Sequence, residues 1–153
     1  MNKAIYLDMD GTAADFYGVD GWLDCLMNSD PRPYREAKPL VNMNLLARAL
    51  NALQKEGYTI GIVSWLSKSG TSEFNQTVTK VKKEWLNRHL KSVQWDEVHI
   101  IPYGTPKYSV VSVRGGILFD DEKPNRNEWR ADGGIAFDEK AIIEVLKDLK
   151  KVS

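Results

Sequence analysis

Short apolar runs and helical stripes alternate along this chain. Ala4-Ile-Tyr-Leu7 is apolar and rich in strand-forming residues, ends at a carboxylate, and predicts a buried strand. Leu45, Leu46, Ala49, Leu50 and Leu53 recur at helical spacing, and Gly57 sits where a helix C-cap belongs. Tyr58 to Val63 predicts a second buried strand. Phe74, Val78, Val81, Trp85 and Leu86 mark the next helix, with Asn75 to Lys83 read as its solvated, charged face. Glu97 to Ile101 is a third strand stopped by Pro102, Gly116 to Phe119 a fourth and Gly134 to Phe137 a fifth. Asp138 then caps a last helix carrying Ala141, Ile142, Val145, Leu146 and Leu149, and its lysine-rich end (Lys147, Lys150, Lys151) suits the negative helix terminus. Strand–helix alternation of this kind implies an α/β fold with a parallel sheet covered on both faces. In such sheets ligands sit beyond the carboxyl ends of the strands, near the switch in strand order.

One segment breaks the alternation. From Ala13 to Pro39 the chain carries Gly18, Gly21, Pro31, Pro33 and Pro39 together with Phe16, Tyr17, Trp22 and Tyr34. So long an irregular insertion is rarely idle in a compact domain, and it is expected to act as a small lid with a short helix near Trp22 to Met27. The bland alternative is a surface loop whose aromatics pack on the body.

Composition narrows the classes of function. The chain has 153 residues, enough for one compact domain, and 21 Lys and Arg balance 21 Asp and Glu. Zero net charge argues against stable nucleic-acid binding, which draws on clustered positive charge. No apolar run approaches the length of a membrane helix, and the charged first ten residues do not resemble a signal peptide. Cys25 is the sole cysteine, so a cytoplasmic, reducing setting is expected and no cysteine metal cluster is available.

The strand ends gather the reactive residues. The first strand ends in Asp8-Met-Asp-Gly-Thr12, the second at Ser64, and the fourth in Asp120-Asp121; Gly104-Thr-Pro-Lys107 follows the third. Asp8, Asp10, Asp120 and Asp121 crowd carboxylates into one cleft, and their repulsion calls for a hard divalent cation. Mg²⁺ suits an all-oxygen site that also takes phosphate. Asp8 is placed to attack phosphorus, and Asp10 to protonate the leaving group and then activate water. Ser64 is suited to donate to a phosphoryl oxygen, Lys107 to neutralise its charge, and Gly11 to let the chain turn away. Lys68, just past Ser64, competes with Lys107 for the role of phosphate-binding lysine. His99 reads as structural, His89 as surface or boundary, and Cys25 as buried in the insertion. Lys123, Arg126 and Arg130 read either as contacts for a substrate phosphate or as offsets to the acids that precede them.

In this combination the chain resembles the haloacid dehalogenase (HAD) superfamily. The resemblance rests on Asp8-Met-Asp10-Gly-Thr12, on Ile60-Gly-Ile-Val-Ser64, on a single lysine, and on Ile117-Leu-Phe-Asp120-Asp121, and it spans Ala4 to Phe137. It implies a Rossmann-like three-layer sandwich with a five-stranded, mostly parallel sheet, and a small cap inserted after the first strand at about 13–39. It implies Asp8 as nucleophile, Asp10 as acid/base, and Mg²⁺ held by Asp8, Asp120 and the Asp10 carbonyl; Asp121 is expected to bind the ion through water or to orient a neighbour. Asp8-Met-Asp-Gly-Thr-Ala-Ala-Asp15-Phe16 is further similar to the opening of 5′(3′)-deoxyribonucleotidases. The expected activity is therefore Mg²⁺-dependent phosphomonoester hydrolysis through an aspartyl-phosphate. The expected partner is a phosphorylated small molecule, with a nucleotide as first guess, held by Met9, Gly11, Thr12, Phe16, Trp65 and Leu66. A 3′-phosphatase acting on nucleic-acid ends and an inactive binding protein of the same fold are the alternatives. A receiver-type signalling domain fits poorly, because the third strand ends in Ile101-Pro102 with no acid.

Overall fold

The computed structural model describes residues 2–152. The chain begins with β1 (Ala4–Leu7), which feeds directly into the loop that carries Asp8. A short strand β2 (Ala14–Asp15) pairs antiparallel with β3 (Lys38–Pro39) and closes the base of the insertion. Between them lie a 3-10 turn (Phe16–Gly18), α1 (Trp22–Met27) and α2 (Arg32–Glu36). The remainder alternates as α3 (Met43–Lys55), β4 (Thr59–Trp65), α4 (Ser72–His89), β5 (Glu97–Ile101), β6 (Ile117–Phe119), α5 (Lys123–Ala131), β7 (Ile135–Phe137) and α6 (Ile142–Val152). Two further 3-10 turns, Lys107–Ser109 and Glu139–Ala141, precede β6 and α6.

The expected α/β, Rossmann-like fold is present, and its five-stranded sheet is parallel throughout. Strand order is β5-β4-β1-β6-β7, with β1 in the centre and Ile5 paired with both Ile60 and Ile117. Successive strand residues point to opposite faces. Ile5, Leu7, Ile60 and Ile62 pack with Leu46 and Leu50 of α3, Trp85 and Leu86 of α4, and Ile142 and Leu146 of α6. Ala4, Tyr6, Val63 and Leu118 face the other way, against Trp129 of α5 and Val111. Those two apolar layers fix the sheet between helices and aim all its carboxyl ends in one direction.

Local chemistry sets the helix starts. The Asn42 side chain accepts from the Leu45 amide at the start of α3, and Thr71 accepts from the Phe74 amide at the start of α4. Gly57, at φ +99°, ends α3 in the left-handed conformation expected of it. Asp138 caps the 3-10 turn that leads into α6 rather than the α-helix itself.

Several elements were not predicted: the short strands β2 and β3, and the helices α2 and α5. α5 turns only Asn125 and Trp129 inward, which is too sparse a stripe for periodicity to show. Nor is the polar face of α4 wholly solvated: Lys82 is 1% exposed. The insertion is docked on that helix. Phe16 and Tyr34 share an apolar cluster with Phe74, Val78 and Val81, Trp85 Nε1 donates to the Ala37 carbonyl at 2.8 Å, and Arg88 donates to the Arg35 carbonyl at 2.8 Å. Cys25 lies buried within the insertion, as anticipated.

Candidate active site

The strand-order switch falls at β1, which has β4 on one side and β6 on the other, and the polar residues converge there. The Asp8 amide donates to the Phe119 carbonyl and the Asp120 amide to the Phe137 carbonyl. Sheet hydrogen bonding therefore continues past the strands and fixes the backbone of both acids. Oxygens of Asp8, Asp120 and Asp121 all lie within 4.8 Å of one another. Lys107 is 3% exposed and bridges two of them, with Nζ 3.0 Å from Asp8 and 2.6 Å from Asp120. Asn125 and the Glu122 amide also donate to Asp120, at 3.2 and 2.9 Å.

Lys68, the rival lysine, is exposed instead and stands 5.8 Å from the centre of the Tyr103 ring, on the cleft wall.

Thr12 and Gly11 act one layer back from the cleft. Thr12 is fully buried; its hydroxyl reaches Asp8 at 3.0 Å and Asp121 at 3.2 Å while accepting from the Asp121 amide. Gly11 has φ +80°, and a Cβ there would collide with the Asp121 carboxylate. Met9 turns its side chain into the core, and its carbonyl accepts the amides of Thr12, Ala13 and Ala14. Met9 and Thr12 were expected to touch substrate, but their side chains are enclosed and do not line the cleft. Phe16, Trp65 and Leu66 do line it.

Sequence reasoning missed Lys82. Its ammonium contacts Asp10 Oδ2 at 2.9 Å, Ser64 Oγ at 2.7 Å and the Trp65 carbonyl at 2.8 Å. A signal existed: Lys82 falls four residues after Val78 and three before Trp85, on the helix's apolar stripe rather than its polar face.

The electrostatics follow from burial. Asp121 is pushed up to about 8 by burial and by the neighbouring Asp8 charge, and Asp120 to about 6 for the same two reasons, against the pull of Lys107. Burial also raises the Asp10 carboxyl, opposed by the Lys82 ammonium. Burial depresses the Lys107 ammonium, but Asp8 and Asp120 more than reverse it, so it stays charged. With all four carboxyls ionised, two buried ammonium groups would leave two negative charges uncompensated, which is why burial and mutual repulsion push protons onto Asp10, Asp120 and Asp121. That deficit, and an all-oxygen donor set, fit a hard divalent cation.

A cleft of about 600 Å³ opens over these groups. Its floor holds Asp8, Asp10, Asp121 and Lys107, while Phe16, Tyr17, Trp22 and Tyr34 of the insertion form one aromatic wall. Neighbouring rings within that wall lie 4.7–5.7 Å apart. Trp65, the last residue of β4, and Tyr103, just past β5, lie 4.8 Å apart and form another aromatic surface. No helix among the described residues is long and apolar enough to cross a membrane.

No family model matches the sequence, and no curated protein matches it either. Solved structures do. The chain is similar to a D,D-heptose 1,7-bisphosphate phosphatase from Burkholderia thailandensis, with TM-score 0.62 and 12% identity over 97% of this chain and 98% of the other. It is equally similar to the D,D-heptose 1,7-bisphosphate phosphatase of B. bronchiseptica complexed with magnesium and phosphate, with TM-score 0.63 and 12% identity over 99% of this chain and 100% of that one. At that identity the likeness is one of fold, and it extends over nearly the whole length of each chain.

Proposed function

We propose that this chain is a Mg²⁺-dependent phosphomonoesterase of the HAD type, working through an aspartyl-phosphate on Asp8. The observation that carries the reading is the convergence of Asp8, Asp120 and Asp121 within 4.8 Å, with Lys107 bridging Asp8 and Asp120. The magnesium- and phosphate-bound state of one structural neighbour supports it. Asp8, Asp120 and the Asp10 carbonyl would hold Mg²⁺, with Asp121 beside them. When bound, the cation offsets the negative charge of the acids and of the phosphoryl oxygens.

In the first half-reaction an Asp8 oxygen bonds to phosphorus as the ester P–O bond breaks, and Asp10 gives its proton to the departing oxygen. The raised Asp10 carboxyl is suited to carry that proton. In the second, Asp10 takes a proton from water as the water oxygen attacks phosphorus, which releases inorganic phosphate and restores the Asp8 carboxylate. Lys107 holds Asp8 in place and balances charge on the phosphoryl group; Ser64, expected to donate to a phosphoryl oxygen, is fully enclosed with its Oγ accepting from Lys82, and so supports the site from behind the cleft. Catalysis of this kind needs positioning and charge balance more than further functional groups.

The insertion at 13–39 serves as a small cap that walls the cleft. Its docking on α4 makes it a fixed wall. Aromatic surfaces over an acidic floor suit a leaving group with a planar ring that can stack, and the nucleoside of a mononucleotide meets that description better than a polyhydroxylated sugar. The floor's excess of acids also favours a small phosphate ester over a nucleic-acid end. Phosphate release should therefore be measured on nucleoside monophosphates, sugar phosphates and p-nitrophenyl phosphate, with Mg²⁺ and then with EDTA. We expect nucleotides to be turned over best, EDTA to stop turnover, and Asp8→Asn to abolish it in a folded protein. A folded wild-type chain without metal-dependent turnover would sink the proposal; a preference for sugar phosphates would overturn only the substrate class.

A further inference from the structure

Asp10 stands on the loop after β1, outside any regular element, yet an acid/base group has to be held within a fraction of an ångström to be effective. Lys82 supplies a restraint from another part of the chain. An ammonium has three N–H donors, and here the three acceptors are Asp10 Oδ2, Ser64 Oγ and the Trp65 carbonyl, all within 2.9 Å. Its charge also lies 5.2 Å from the centre of the Tyr34 ring, so the cap helps to enclose it. Burying a lysine so completely is unfavourable unless its partners compensate, and none of the three acids grouped for a metal is among them. Lys107 already serves that group. Lys82 takes only one Asp10 oxygen, and Asp10 still lines the cleft.

We propose that Lys82 is a positioning residue for the proton-transfer step, clamping the Asp10 carboxyl to the end of β4 through Ser64 and the Trp65 carbonyl. The inference rests on the phosphomonoesterase reading and adds to it a residue from α4. Because the clamp acts through Asp10, its loss should be felt where the leaving oxygen needs a proton. An alkyl phosphate expels a strongly basic alkoxide and depends on the acid; an aryl phosphate expels a stabilised phenolate and depends on it far less.

The test compares full-length wild type, Lys82→Met, Asp10→Asn and the double variant in Mg²⁺, each checked by thermal melting. kcat and KM are measured on p-nitrophenyl phosphate and on whichever alkyl phosphate the wild type turns over fastest. Lys82→Met should lose about 100-fold or more in kcat on the alkyl ester and less than about tenfold on the aryl ester, with KM little changed. Added to Asp10→Asn, it should cost no more than about threefold further, since both variants remove one function. Equal losses on the two esters, or full multiplication of the single effects, would overturn the clamp while leaving the phosphatase reading intact. If Lys82→Met does not fold, the double variant, which lacks both charges, decides by comparison with Asp10→Asn alone. Absence of metal-dependent turnover in folded wild type would overturn the phosphatase reading and the clamp together.

Discussion

At the scale of single residues, the two candidate lysines of the third motif are set apart by burial. Lys107 is enclosed and bridges two acids, so removing it leaves carboxylates uncompensated in a closed space. Lys107→Met should lower stability by about 3–5 kcal/mol, the usual consequence of breaking a buried ion pair from one side. It should also reduce turnover far more than Lys68→Met. Lys68 is exposed, and its replacement should shift stability by no more than about 0.5 kcal/mol. Urea denaturation and steady-state kinetics on both variants check the pair, and a larger effect at Lys68 would reassign the lysine. Spacing alone left both open, because each follows a strand end; only the three-dimensional path from Pro106 into the turn at Lys107–Ser109 brings one of them to Asp8. The acids were readable for a simpler reason: they follow apolar runs directly, and a parallel sheet aligns those ends. Lys82 was hidden by its surroundings in sequence, where Lys80 and Lys83 make it look like one more solvated charge.

At the scale of elements, the five strands of the main sheet were legible as short, mostly apolar runs bounded by polar residues, glycine or proline, and β1 and β5 begin and end where the pattern put them. α3 and α4 were legible from their stripes, although α4 runs further at both ends than its apolar positions do. α5 was not, since a helix on the sheet edge needs few inward residues. The insertion was recognised as irregular, but not its attachment. Apolar packing alone would let it slide on α4; the bond from Trp85 to the Ala37 carbonyl fixes where it sits. Trp85→Phe keeps most of the apolar surface while leaving that carbonyl without its donor, a change that should cost about 1–3 kcal/mol. Hydrogen exchange should then quicken in α2 and the residues up to β3 before it does in β1 or β4. Uniform acceleration across the sheet would mean that Trp85 supports the core as a whole and not the insertion's docking.

For the whole molecule, the acidic centre couples folding, protons and cation. Asp120 at about 6 and Asp121 at about 8 both lie above the ordinary aspartate value of 3.8. Between that value and about 8 these two carboxyls therefore hold more protons in the folded chain than in the unfolded one, so their contribution to stability falls as pH rises across the window. A divalent cation competes for the same oxygens. It binds better as the protons leave, and it stabilises the folded state in proportion to its affinity. The rise in melting temperature produced by Mg²⁺ should consequently be small at pH 5 and grow through pH 8. At pH 7, calorimetry in buffers of different ionisation enthalpy should show protons released on binding. Asp121→Asn removes the carboxyl pushed up to about 8; it should flatten the decline of metal-free stability with pH and reduce the proton release. A Mg²⁺-induced stabilisation independent of pH, with no proton release, would mean that the cation is held elsewhere than among Asp8, Asp120 and Asp121.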